Sequence, residues 1–137
     1  MTTLSVNKQI PIETGDYNDL PVITSDIIYE GAAVGMSSGY ARPLVAGDAF
    51  AGIAVAKVDN SAGAGGAKNV RVLQKGSIEV DVVGVTAITN VGATVYASDD
   101  NVFTLSSTSN SSIGKIIRHV SGTKCIVAFE AVSRRSL

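Results

Sequence analysis

The chain has 137 residues, 45% of them hydrophobic, with 14 glycines, one cysteine, no tryptophan, and a net charge of −1 from eleven basic and twelve acidic side chains. That length fits one domain burying roughly two-thirds of the surface its unfolded chain exposes, enough for a core without staples. The thin, balanced charge argues against a phosphate-binding field and so against nucleic acid, the lone cysteine excludes an internal disulfide, and no apolar run reaches the ~18 residues of a membrane-spanning helix.

Eighteen valines and twelve isoleucines against six leucines tilt the apolar content toward β-branched side chains, which suit a pleated sheet better than a helix. The expectation is an all-β protein. Met1-Thr2-Thr3-Leu4 lacks the charged-then-apolar pattern of a signal peptide, so a soluble protein made in the cytoplasm is expected.

Residues 1–24 read as an extended N-terminal arm. Ile10-Pro11-Ile12 and Leu20-Pro21-Val22-Ile23 each place a proline inside a strand-like run, with Gly15-Asp16-Tyr17-Asn18-Asp19 between them. Proline cannot donate to a ladder, so such runs sit at a sheet edge or lie extended against another surface. Two readings stand: a peripheral strand folded back on its own domain, or an arm that crosses to a partner. Ile10, Pro11, Ile12, Tyr17, Leu20 and Pro21 are the candidate contact residues.

A β domain is expected over residues 25–132. Ile27-Ile28-Tyr29, Ala32-Ala33-Val34 and Phe50–Ala56 are short apolar runs in which alanine and glycine interleave with larger residues, as in closely packed or curved strands. Ser61–Ala67 is a glycine-rich segment, flexible by composition; without a Gly-Lys-Ser/Thr ending or a following helix it is no phosphate cradle. Val70, Val72, Ile78, Val80 and Val82 alternate with Arg71, Glu79 and Asp81, a pattern broken only around Lys75-Gly76, giving one core face and one wet face, and Gly76 reads as a bend or hairpin position. Val85–Val91 fits one helical turn or a loop. Val95-Tyr96 and Val102–Leu105 flank the turn formers Ser98-Asp99-Asp100-Asn101, the pattern of a β-hairpin. Ser106–Ser112 is a polar loop, Ile113–Val120 and Lys124–Val132 are strands joined at Ser121-Gly122-Thr123, and 133–137 is an exposed tail. Roughly seven to ten short strands at this spacing point to a small β-barrel or β-sandwich.

Residues that could carry chemistry are few, and no catalytic, cofactor-binding or metal site is expected. His119 is the only histidine and reads as a surface or strand-edge residue, so neither a triad nor a multi-histidine metal site is expected within one chain. Asp99-Asp100-Asn101 lacks the glycine and distal glutamate of a calcium loop and reads as a turn, and Asp16 and Asp19 are judged alike. Glu79 and Asp81 share a strand face without a cleft, Cys125 sits in an apolar run as a buried thiol, and Arg134-Arg135 is too short for a nucleic-acid patch. Four tyrosines and three phenylalanines are too dispersed for a stacking platform.

Gly47-Asp48-Ala49-Phe50-Ala51-Gly52-Ile53-Ala54, Asn69-Val70-Arg71-Val72 leading to Gly76, Gly92-Ala93-Thr94-Val95-Tyr96 before Val102-Phe103-Thr104, and Ile113-Gly114-Lys115 before a closing apolar strand follow one another in order. Over residues 26–131 this order resembles the capsid decoration, or cement, proteins of tailed phages, a family that includes the phage lambda head decoration protein. The resemblance implies a β-tulip-like domain that adds to the outer surface of an expanded icosahedral head and clamps neighbouring copies of the major capsid protein. It also implies a virion protein that assembles as a homo-oligomer, a trimer in preference to a dimer, with no enzymatic activity and no cofactor. The rival reading is a carbohydrate- or receptor-binding β module of a phage fibre or bacterial surface protein; a hydrolase site assembled from several chains ranks third.

Overall fold

The computed structural model describes residues 5–7, 9 and 15–135. Among them twelve strands follow one another: β1 (Tyr17–Pro21), β2 (Asp26–Ile28), β3 (Ala33–Ser37), β4 (Tyr40–Pro43), β5 (Ala49–Ala54) and β6 (Val58–Asn60), then β7 (Asn69–Leu73), β8 (Lys75–Val83), β9 (Thr94–Ala97), β10 (Phe103–Thr104), β11 (Ser111–Ser121) and β12 (Lys124–Glu130). The only helical pieces described are single 3-10 turns at Ile88–Asn90 and Val132–Arg134, so no helix there is long and apolar enough to cross a membrane. The protein is all-β, with more and shorter strands than the sequence predicts.

The N-terminal lobe is an antiparallel five-stranded sheet in the order β1-β7-β5-β3-β4. It curls until its two edges meet: Val22 bridges Ala41, and the Ile23 N–H donates to the Ala41 carbonyl at 2.9 Å. The alanine and glycine content of these strands permits that curvature. Val22, Val34, Ala41, Val70 and Val72 are buried inside the curl with Ile28 of the small β2–β6 pair. Gly52 sits at φ +134°, where a Cβ would run into the Leu73 carbonyl, and a register shift in the β3–β5 ladder lies beside it. The shift changes the parity of β5, so Phe50 and Ile53, three residues apart, both face the second lobe.

That lobe is a closed barrel, β10-β8-β12-β11-β9, antiparallel throughout except for the parallel β10–β8 pair that seals it. Closure removes the free sheet edges of this lobe. Val82, Val95, Ile113, Ile116, Val127 and Phe129 fill the interior. Phe50 enters from the first lobe and meets Phe129 edge to face, ring centroids 6.0 Å apart, which adds about 0.5–1.5 kcal/mol beyond the area buried and extends the barrel core into the first lobe, beside the separate cluster inside the curl.

Alternation does run through residues 70–82, but it spans two sheets. The chain leaves the first lobe at Leu73 and enters the barrel at Lys75, so Gln74 is the crossover and Gly76 lies inside β8 rather than at a bend. Gln74 is buried, its N–H donating to the Asp16 carbonyl (2.8 Å) and its carbonyl accepting from Ala131 N–H (2.7 Å). The 3-10 turn falls within Val85–Val91, and both sequence-predicted hairpins, β9–β10 and β11–β12, are present.

Candidate functional site

Of the six candidate contact residues, Ile10, Pro11 and Ile12 lie outside the described residues. Tyr17, Leu20 and Pro21 belong to β1, which pairs along its length with β7: Tyr17 opposite Leu73, Leu20 opposite Val70, Pro21 opposite Asn69. This part of the N-terminal segment is an edge strand of its own domain. Proline ends the strand because it has no N–H to give, and the next residue resumes the pattern, Val22 N–H donating to Lys68 O at 2.9 Å. Tyr17 is half exposed, and the Asp19 carboxylate accepts two hydrogen bonds from Arg71, which hold its pKa below the usual carboxylate range.

Leu20 faces a cleft of about 300 Å³ lined by Asn18, Met36, Phe50, Ala51, Gln74 and Val132. Five separate segments build it, so no local motif marks it. Gly15 lies against the guanidinium of Arg134, which follows the cleft-lining Val132 and Ser133 in sequence. The C-terminal segment is not wholly an exposed tail: Arg135 donates to the Glu130 carbonyl (3.0 Å), the Ser112 hydroxyl (2.8 Å) and the Ser112 carbonyl (2.7 Å). Gly15–Asp16, the Gln74 crossover and the Ala131–Arg134 segment therefore meet one another.

Ser61–Ala67, flexible by composition, is tied down. Asn60 is buried, and its Nδ2 donates to the carbonyls of Ile23 (3.0 Å), Ala64 (3.0 Å) and, at 3.4 Å, Val22. Three acceptors fix which way the amide points, leaving Oδ1 against Gly63 without a hydrogen-bond donor. Gly66 N–H donates to the Val22 carbonyl at 2.9 Å, adding a further stitch.

Between the lobes lies the tip of the β9–β10 hairpin. Asn101 N–H donates to Asp99 Oδ1 (3.3 Å), the local turn expected of these residues, while Ala33 N–H of the first lobe donates to the Asp100 carbonyl (2.8 Å) and Asp99 bridges Val45. A proton on the Asp100 carboxyl bonds to Asp99; that bond, with desolvation and the Asp99 charge, pushes Asp100 up to about 6, with a smaller contribution from Asp26, and Asp99 is correspondingly lowered. Below about pH 6 the two carboxylates share one proton.

The other residues singled out in the sequence have structural partners or lie apart. His119 Nε2 is 2.9 Å from the Gly122 carbonyl, closing the β11–β12 turn, where Gly122 has φ +54°. Cys125 is buried in the barrel, and burial raises its thiol pKa. Glu79 and Asp81 face outward on β8, Asp81 accepting from the Thr123 hydroxyl at 3.1 Å. Among the described residues no group of three or more His, Cys, Asp or Glu side chains is placed to hold a metal ion.

No protein-family model and no curated protein matches the chain. Its own geometry is therefore the guide. Gly47, at φ +95°, donates its N–H to the Ser111 hydroxyl at 3.0 Å and joins the lobes. Asp48 takes two hydrogen bonds from Arg42 (3.0 and 2.8 Å) and one from Val45 N–H (3.0 Å), shaping the β4–β5 turn. Burial works against the Asp48 charge, but these bonds and the Arg42 cation together outweigh it and keep the carboxyl below its ordinary range. Gly114 passes so close to the Ala128 carbonyl that no side chain fits, at a register shift where β11 changes its pairing with β9.

Proposed function

We propose that this chain is a structural virion protein that binds the outer surface of an expanded icosahedral phage head and stabilises it by clamping neighbouring major capsid proteins. It acts by binding rather than by catalysis, as a homo-oligomer. The observation that carries the reading is that the residues on which the family resemblance rests coincide with the pivots of the fold. Gly47 and Asp48 join and turn the lobes, Phe50 couples their cores, Gly52 re-aims β5, and Gly114 closes the barrel wall. A resemblance made of scattered glycines gains weight when three of them, Gly47, Gly52 and Gly114, have a geometric reason to be there. The interlocked double-lobed core also suits a part that must transmit load between neighbours.

The attachment surface in this reading is the end where the N-terminal segment enters, with Ile10, Pro11 and Ile12 ahead of β1 and Tyr17, Leu20 and Pro21 within it. An extended segment adding as a strand to a capsid sheet gains main-chain hydrogen bonds worth about 0.5–1.5 kcal/mol each, and many copies on a lattice multiply weak single contacts. The test is co-sedimentation with expanded empty heads. Deleting residues 2–14 spares β1, and the truncated protein is expected to melt as the full chain does but to lose most of its head binding. Undiminished binding by the truncation removes the segment from the mechanism, and failure of the full chain to bind heads removes the proposal. Binding to a glycan array without head binding would favour the carbohydrate-binding rival.

A further inference from the structure

We infer that the outer face of β8, β12 and β11 is a self-complementary surface for a second copy of this chain, related by a two-fold axis that runs along β12. The inference stands apart from the capsid reading, because it rests on the register of three neighbouring strands.

The ladder aligns side chains in rows across the barrel wall. Glu79 of β8 stands opposite Ile126 of β12, which stands opposite Arg118 of β11; in the next row Ser77, Ala128 and Lys115 align likewise. Cys125, Val127 and Phe129 point inward, so Ile126 and Ala128 form an outward column, half-buried, between an acidic strand and a basic one. The end rows match their charge within the chain: Lys75 Nζ lies 3.9 Å from Glu130, and Asp81 stands opposite Lys124. In the middle rows, among the described residues, Glu79, Arg118 and Lys115 form no ion pair. Strands about 4.8 Å apart place the Glu79 and Arg118 backbones about 10 Å from each other, with Ile126 between. The register shift between Ile116 and Arg118 leaves Ile117 exposed beside the basic column.

Rotation by 180° about an axis parallel to β12, in the plane between two facing copies, exchanges left and right while keeping each row at its level. Glu79 of one copy then faces Arg118 of the other, twice by symmetry, and the Ile126–Ala128 columns meet along the axis. An axis across the strands would instead set like charge on like, so the charge pattern selects one packing. The curvature of the barrel confines contact to these three strands, which places the pair among small interfaces below about 1,200 Å² and makes it weak and salt-sensitive.

Sedimentation velocity of the full chain tests this. The unmodified protein should show a concentration-dependent doubling of mass that weakens in high salt. Glu79→Arg alone and Arg118→Glu alone each set like charges together, and each should weaken the association on the order of tenfold or more. Mixing the two variants should restore it, since the hybrid pair regains both contacts, and two misfolded variants could not do so. Absence of doubling in the unmodified chain, single reversals that leave it intact, or a mixture no better associated than its parts would each overturn the inference.

Discussion

Replacing Asp100 by asparagine isolates the proton shared at the hairpin tip. In the folded chain the Asp100 carboxyl titrates near 6 against an ordinary 3.8, because it is hydrogen-bonded to Asp99, partly desolvated, and faces the charges of Asp99 and Asp26. A raised carboxyl pKa means that the folded state holds the proton more tightly than the unfolded state. Its contribution is complete below about pH 4 and is lost as the pH rises through 6. A shift of about two units corresponds to ~3 kcal/mol at 1.36 kcal/mol per unit, and solvent around this partly exposed group screens that to about 1 kcal/mol. The amide of Asp100→Asn donates to Asp99 at every pH and so keeps the low-pH contact. The variant should match the parent near pH 3 and exceed it by about 1 kcal/mol at pH 8, a rise of roughly 3–4 °C in Tm for a chain of this size. Thermal melts of both proteins across this range read the difference directly, and carboxylates common to the two, such as Asp19, Asp48 and Asp59, cancel. A difference that does not change between about pH 3 and 8, or one of opposite sign, would refute the reasoning.

Gly114→Ala drives a Cβ into the Ala128 carbonyl across the barrel wall and should cost about 3 kcal/mol, read as a lower urea midpoint with an unchanged slope; a loss under 1 kcal/mol would show that the wall yields. Asn60→Ala strips the donor from the carbonyls of Val22, Ile23 and Ala64 and should cost about 2–3 kcal/mol, with faster hydrogen exchange at Gly66 and Ala67; unchanged exchange would mean the loop is held by other means. Arg42→Lys keeps the charge but not the two-pronged contact with Asp48, so it should lower the denaturant midpoint, and full retention of that midpoint would count against the contact as the organiser of the β4–β5 turn.

Local patterns in the sequence carried through to the fold where neighbours in sequence are neighbours in space. The hairpins around Ser98–Asn101 and Gly122, the alternation of Val70, Val72, Val80 and Val82, and the single turn before Val91 are of that kind. The switch at Gln74 left only a break in the alternation around Lys75-Gly76, read as a bend or hairpin, because the pattern stays in phase on both sides and what parts the strands is the pairing of β7 with β1 and β5, and of β8 with β12. Barrel closure was equally hidden, since it depends on two residues, Phe103 and Thr104, pairing parallel to Val82 and Val83. The composition of Ser61–Ala67 suggested freedom, yet one buried amide outside that run restrains it. At the candidate site, Pro21 correctly marked a strand edge, whereas the cleft beside Leu20 draws on five segments and left no trace in any one of them. Glu79 and Asp81 were visible as a wet strand face, but their basic counterpart was not, because the irregularity at Ile117 sets which side Arg118 takes.

The most direct test of the capsid reading is the resistance of the parent particle itself. Heads prepared without this chain, and the same heads with purified protein added back, are heated while release of packaged DNA is followed by dye fluorescence. The account predicts that bare heads release DNA at a lower temperature, and that added protein restores the full value once its sites are filled. Equal rupture temperatures in the two preparations, with the protein demonstrably bound or demonstrably unable to bind, would contradict it.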